Sequence, residues 1–104
     1  MSAALHADLS GARDKRDVLR AIAHAAAYPG TFGDNFDALA DVLQDLSWRP
    51  ASDYVLHIRN AAAARRALGA EWATLLEVLS ATIAYWKGRG KTFVVHLDGE
   101  DLRA

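Results

Sequence analysis

The stretch "DYVLHIR", residues 53–59, carries the clearest strand pattern in this sequence. Its β-branched and aromatic side chains form the kind of run that predicts a buried β-strand. It lies near the middle of the 104-residue chain, with helical patterns on both sides of it. The fold therefore depends on which elements surround this segment.

Two further strands are predicted, one near each end of the chain. The segment "ALHADL", residues 4–9, alternates weakly between apolar and polar side chains and ends at a Ser-Gly pair, so it predicts a short first strand. The segment "KTFVVHL", residues 91–97, is almost continuously apolar. Such a composition is expected of a strand that is covered on both faces.

Two helices are predicted between each pair of consecutive strands. Asp14 is a plausible N-cap for the first helix, which stops before Pro29. Apolar side chains at helical spacing predict the other three. The four predicted helices are contained in "DKRDVLRAIAHAAAYPG" (14–30), "DNFDALADVLQDL" (34–46), "NAAAARRALG" (60–69) and "AEWATLLEVLSATIAYWKGRG" (70–90).

Helical crossovers between successive strands imply a parallel sheet with right-handed connections. We therefore predict an α/β fold, a three-stranded parallel sheet packed with about four helices in one domain spanning residues 1–104. A hydrophobic content of 52% allows a modest core without disulfides or metal. The chain has no cysteine, which excludes a disulfide scaffold, a thiolate metal site and a cysteine nucleophile.

The start of the sequence lacks the basic and apolar regions of a secretory signal, and no segment approaches eighteen consecutive apolar residues. We therefore expect a cytoplasmic protein with no membrane association. The predicted helices and strands leave no stretch long enough to separate two domains.

The negative charge of the chain is concentrated in "TFGDNFDALADVLQDL", residues 31–46. On a helical wheel its four aspartates, Asp34, Asp37, Asp41 and Asp45, share an arc of roughly 80° opposite the apolar side chains. Such like-charge spacing costs a helix about 1 kcal/mol in total. A solvated face kept for solubility is one interpretation, although such faces usually mix both signs and use Glu. A binding surface for a basic partner is the other.

The segment "PGTFGDNFDALAD", residues 29–41, resembles the central motif of the barstar family, the intracellular inhibitors of barnase-like ribonucleases. The similarity continues through "LSWRPASDYVLHIRNA" (46–61) and "GRGKTFVVHL" (88–97), and the element order agrees. The resemblance implies a bacterial protein that inhibits a basic, barnase-like microbial ribonuclease. It implies no catalysis, no cofactor and no direct nucleic-acid binding, and we expect a monomer.

Members of this family block the cationic active-site cleft with the second helix and its preceding loop, which take the place of RNA phosphate. By resemblance, Asp41 is the principal anchor and Asp37 a second contact with an arginine. Asp45 is added because it extends the acidic row by one turn. The whole predicted partner-binding surface is Thr31, Phe32, Gly33, Asn35, Asp37, Ala38, Ala40, Asp41 and Asp45.

The chain departs from the family pattern at three positions. Thr31 stands where the family usually has a tyrosine, Ala40 where its type member has a tryptophan, and Tyr85 about where that member has a glutamate. Each departure trims contact area or charge. They suggest a different cognate ribonuclease or a weaker complex.

Two other functions remain open at this point. The acidic helix could bind a different basic protein, such as another toxin domain or a regulator. Alternatively, Asp37 and Asp41 could act as paired carboxylates of an enzyme, although they lack a nucleophile, a general base and an enclosed pocket. The four histidines show no metal-ligand spacing, and "KGRGK", residues 87–91, matches no phosphate-binding loop.

Overall fold

The computed structural model of the protein describes residues 1–102. The strands and helices are, in chain order, β1 (Ser2–Asp8), α1 (Lys15–Ala25), α2 (Phe36–Leu43), β2 (Asp53–Arg59), α3 (Ala61–Leu68), α4 (Glu71–Lys87), β3 (Thr92–Leu97) and β4 (Glu100–Leu102). The predicted alternation of single strands with pairs of helices is therefore present. The first strand begins two residues earlier than predicted, and a fourth strand follows the third.

The sheet has the strand order β1-β2-β3-β4. The first three strands are parallel, as predicted, but β4 pairs antiparallel with β3, so the sheet is mixed and has four strands rather than three. Asp98 and Gly99 connect β3 to β4 with φ values of 50° and 85°. Two successive positive φ values are what a tight hairpin turn requires, and Asp-Gly is a preferred sequence for it.

All four helices bury side chains in one core that lies against a single face of the sheet. The strand residues on that face alternate along each strand, as the two-residue period of a strand demands. They are Leu5, Ala7, Tyr54, Leu56, Ile58, Phe93 and Val95, and each of them is at most 2% exposed. The core is closed from the helical side by the apolar faces of α1, α2, α3 and α4.

Within residues 1–102, no helix covers the opposite face of the sheet. In β3, Thr92 is exposed and Val94 is only half-buried, while Phe93 and Val95 face the core. The prediction that the third strand is covered on both faces was therefore wrong. The strand is almost continuously apolar because Val94, on the open face, is a β-branched residue, which favours a strand even where it is not covered.

The helix boundaries follow from local hydrogen bonds. The Asp14 side chain accepts a hydrogen bond of 2.9 Å from the amide of Asp17, which confirms the predicted N-cap of α1. Trp72 and Trp86 on α4 are buried. Within residues 1–102 no single helix is long and apolar enough to cross a membrane; α3 and α4 pass that test only as a pair, which is bent by 118°.

Candidate functional site

Helix α2 packs its apolar face against the core and presents its polar face to solvent. Leu39 and Leu43 are fully buried, and Val42 is 4% exposed. The indole nitrogen Nε1 of Trp86, on α4, donates a hydrogen bond of 2.9 Å to the carbonyl oxygen of Leu43. This bond satisfies one of the free carbonyls at the end of α2 and fixes the helix against α4. The polar face of α2 is thereby held outward on a rigid base.

Asn35 fixes the beginning of α2 and the loop before it. Its Oδ1 accepts a hydrogen bond of 2.7 Å from the amide of Ala38, which caps the helix, and its Nδ2 donates to the carbonyl of Gly33 at 3.2 Å. A Cβ atom added to Gly33 would lie 3.3 Å from the Cβ of Ala38, closer than side chains ordinarily pack. Asn35 was predicted to contact a partner, but its side chain instead makes hydrogen bonds within the protein that position the loop.

Asp34 lies outside the helix and does not belong to an outward acidic row. Its backbone has a φ of 55°, and α2 begins two residues later. Its carboxylate oxygens accept hydrogen bonds of 2.7 Å from Nε and Nη2 of Arg20 on α1. This contact lowers the pKa of Asp34 and raises that of Arg20, chiefly through the side-chain hydrogen bonds. The prediction of four aspartates facing outward on one helix was wrong for Asp34.

Three carboxylates remain free of compensating charge on the outer side of this region. Asp37 and Asp41 are exposed on α2, one turn apart. Asp45 is also exposed but lies beyond the helix, which ends at Leu43, and accepts a hydrogen bond of 3.3 Å from the amide of Ser47. Among residues 1–102 no Lys, Arg or His nitrogen lies within 4 Å of these three carboxylates. We call Asp37, Asp41 and Asp45 the acidic triad.

A cleft of about 150 Å³ separates the preceding loop from α2. Its lining combines aromatic rings with two members of the acidic triad, and consists of Tyr28, Thr31, Phe32, Gly33, Ala38, Asp41, Val42 and Asp45. The rings of Tyr28 and Trp48 pack edge to face with their centres 5.2 Å apart. The Nε1 of Trp48 donates a hydrogen bond of 2.9 Å to the carbonyl oxygen of Ala26. Trp48 therefore connects this loop to the end of α1. These contacts give the cleft a fixed aromatic wall.

The structure brings most of the predicted partner-binding residues to one surface. Six of them line the cleft, namely Thr31, Phe32, Gly33, Ala38, Asp41 and Asp45. Asp37 and Ala40 lie on α2 outside the cleft lining, Asp37 exposed and Ala40 half-buried. The position of these residues is thereby established, whereas their contact with a partner stays a prediction.

Two residues of this region were not among the predicted site residues. Tyr28 lines the cleft, and the aromatic residue before Pro29 and Gly30 was a usable signal for it. Arg20 neutralises Asp34 from another helix, fourteen residues earlier in the chain. No spacing rule within the acidic segment could have identified that partner, because the contact depends on how α1 and α2 are arranged.

Other candidate chemistry in the sequence gains no support from the geometry. Within residues 1–102 no three His, Asp or Glu side chains could hold a metal ion. Tyr85 is half-buried on α4, with the guanidinium of Arg89 stacked 3.8 Å from its ring centre. The region around α2 offers exposed carboxylates and an aromatic cleft, an arrangement suited to binding cationic groups of a partner.

The family model described as "Barstar (barnase inhibitor)" matches residues 2–98 of the 104-residue chain. No curated protein and no solved structure gave a match.

Proposed function

Because the chain belongs to the barstar family, we propose that it inhibits a barnase-like bacterial ribonuclease by blocking its active-site cleft. The observation that carries this proposal is the acidic triad, three exposed carboxylates without a cation within 4 Å in the described part of the chain. Members of the barstar family are inhibitors rather than enzymes. The proposal therefore involves binding alone and no reaction by this chain.

The proposed contact surface consists of the acidic triad and the cleft beside it. A ribonuclease cleft must be cationic to hold RNA, so a rigid anionic surface competes with phosphate for the same arginine side chains. Carboxylates accept paired hydrogen bonds from a guanidinium group with a geometry that a phosphate also offers. Asp41 is the central member, since it lies both on the exposed side of α2 and on the wall of the cleft.

Helix α2 is suited to this role because its position does not depend on the partner. The Asn35 cap fixes one end, and the Trp86 hydrogen bond to Leu43 fixes the other. A surface that is already ordered loses less conformational entropy on binding, which favours affinity. The departures at Thr31 and Ala40 place small side chains on this surface, which favours a cognate ribonuclease other than barnase or a weaker complex.

An inhibition assay tests the proposal. The purified chain is added to barnase and to other basic bacterial ribonucleases, and RNA cleavage is followed. We expect stoichiometric loss of cleavage for at least one enzyme, and we expect Asp41→Asn to weaken that inhibition by about thirtyfold or more. Removing one partner of a desolvated charge pair costs about 2 kcal/mol or more, a magnitude established in part on this family.

The matched control is Glu100→Gln, which also removes one negative charge but lies on the exposed edge strand β4. This variant should inhibit as well as the wild type. A chain that leaves every such ribonuclease active, yet binds a different basic protein through Asp41, would overturn the proposal and support the alternative of another partner. Equal loss of inhibition in both variants would contradict the assigned role of Asp41.

A further inference from the structure

The open face of the sheet carries a row of three histidines, one on each parallel strand. His6 of β1 is in register with His57 of β2, which is in register with His96 of β3. The rings of His6 and His57 stack with centres 4.8 Å apart and planes 9° apart. The rings of His57 and His96 stack at 5.2 Å and 14°. We call these three residues the histidine ladder.

The ladder results from the strand register rather than from any spacing within one segment. Side chains at matched positions of adjacent strands lie about 5 Å apart on the same face, which brings the three rings into contact. Side chains alternate between the two faces of a strand. The residues next to each histidine face the core, so the three histidines point to the open face. The rings therefore remain within reach of protons from solvent.

The charged groups around the ladder come from β1, β2 and β4. Arg59 follows His57 by two positions on β2 and lines the same shallow depression, which measures about 470 Å³. On β4, the Asp101 carboxylate lies 2.5 Å from Nδ1 of His96. On β1, Asp8 accepts hydrogen bonds from the amide of Ser10 at 3.0 Å and from Asn60 Nδ2 at 2.8 Å. Within residues 1–102, only His96 of the three has a carboxylate within 4 Å.

The central position is the least favourable place for an added positive charge. A protonated His57 would lie between two imidazoles at about 5 Å and near the permanent charge of Arg59. Partial burial, followed by the charges of His6, His96 and Arg59, lowers the pKa of His57 below its ordinary value of 6.5. The folded ladder thus resists a proton that the unfolded chain accepts.

We propose that the histidine ladder is an acid-sensitive element of the fold, which destabilises the folded chain when the solution becomes mildly acidic. The ladder lies on the sheet face opposite the helices, and so on the other side of the sheet from α2. It acts through the stability of the whole domain rather than through the acidic triad. The proposal does not depend on what the chain binds.

The direction of the effect follows from the proton balance between the two states. Because the pKa of His57 is lower in the folded state, the unfolded chain binds more protons as the pH falls through 6.5. Stability therefore decreases as the pH drops through this value, and the loss is complete below the lowered pKa. Above about pH 7.5 both states are neutral at this position, and the ladder costs nothing.

Denaturant unfolding of the full chain at a series of pH values tests the proposal. The comparison is between the wild type and His57→Gln, which removes the central titrating group. We expect the unfolding equilibrium of the wild type to shift several-fold further toward the unfolded state between about pH 7.5 and pH 5. Carboxylate contributions are common to both proteins and cancel. Identical pH profiles would overturn the proposal.

The matched control is His24→Gln, because His24 is an exposed histidine on α1 outside the ladder. This variant should keep the pH dependence of the wild type. If it loses that dependence while His57→Gln retains it, the acid sensitivity does not arise from the ladder and the proposal fails.

A second measurement on the wild type avoids any dependence on the folding of His57→Gln. The imidazole protons are followed by nuclear magnetic resonance as the pH is changed. We expect His57 to take up its proton below pH 6.5, with a midpoint that rises in His6→Gln because one neighbouring charge is removed. A wild-type midpoint at or above 6.5, or a midpoint that is unchanged in His6→Gln, would contradict the coupling of the three rings.

Discussion

Arg20 and Asp34 form a two-point contact that joins α1 to the loop before α2, with both hydrogen bonds at 2.7 Å. A paired contact of this kind holds both side chains in one orientation. Because both of its oxygens are bonded to Arg20, Asp34 is not available to bind a partner as the other three aspartates are. The contact also ties the loop that forms the cleft to a helix that is itself part of the core.

This contact predicts a specific response to acid. The hydrogen bonds from Arg20 lower the pKa of Asp34 below 3.8, so the folded state favours the ionised carboxylate. The resulting stability is complete above about pH 5 and is lost as the pH falls through the lowered value. We expect Asp34→Asn to be less stable than the wild type at neutral pH. This difference should disappear in denaturant titrations once the pH falls below the lowered pKa of Asp34. In an Arg20→Gln background, Asp34→Asn should have little further effect, and a full additional loss there would contradict the pairing.

The hydrogen bond from Trp86 to Leu43 predicts a difference between two tryptophan substitutions. Trp86→Phe leaves the Leu43 carbonyl without its indole donor in a buried position, and it also leaves a small cavity. We expect a loss of about 1–3 kcal/mol in the free energy of unfolding. Trp48→Phe removes a similar bond, to Ala26, at a half-buried site, and should cost less. Chemical denaturation of both variants checks the order, and a greater loss in Trp48→Phe would contradict it.

The acidic triad predicts that stability and binding change in opposite directions at Asp41. Asp37 and Asp41 are four residues apart on α2, a spacing at which like charges repel by about 0.2–0.5 kcal/mol. Asp41→Asn should therefore gain a few tenths of a kcal/mol in stability while it loses inhibition. Denaturation at neutral pH measures the gain. The control is Glu77→Gln on α4, because the residues three and four positions from Glu77 are uncharged. A clear loss of stability in Asp41→Asn would assign this carboxylate a structural role.

The charge of the triad also predicts how fast the proposed complex forms. Association between surfaces of opposite charge is accelerated at low ionic strength, and salt screens this attraction. Raising the salt from about 0.05 M to about 0.5 M should slow association by roughly tenfold or more, while dissociation changes little. Stopped-flow mixing with an inhibited ribonuclease provides the measurement. The combined variant Asp37→Asn, Asp41→Asn, Asp45→Asn should show a much flatter salt dependence, and an unchanged one would exclude steering by the triad.

The element order was predictable because each helix and parallel strand has its own local pattern. Apolar spacing located α4, and the β-branched run located β2. The short strand β4 escaped because three residues give no periodic signal, although Asp98 and Gly99 were a recognisable hairpin turn. The exposure of Val94 escaped because an apolar side chain is compatible with either face of a strand.

The site was predictable where it depends on one segment and not where it depends on several. Asp37 and Asp41 lie outward because the helical period places them opposite Leu39 and Leu43. Asp34 was misplaced because Asn35 caps the helix, which begins only at Phe36, and because Arg20 comes from elsewhere in the fold. The histidine ladder was missed for the same reason, since only strand register reveals that three distant histidines are neighbours.

Because the helices cover only one face of the sheet, the proposed acid-sensitive element and the proposed binding surface lie on opposite sides of the domain. Substitutions at His6, His57 or His96 alter a face of the sheet that no helix covers within residues 1–102. The two proposals therefore predict that acid tolerance can be changed without altering the acidic triad. Conversely, substitutions on the outer face of α2 leave the three stacked imidazoles, and the acid response proposed for them, unchanged. Substitutions on one side of the domain can thus accumulate independently of those on the other.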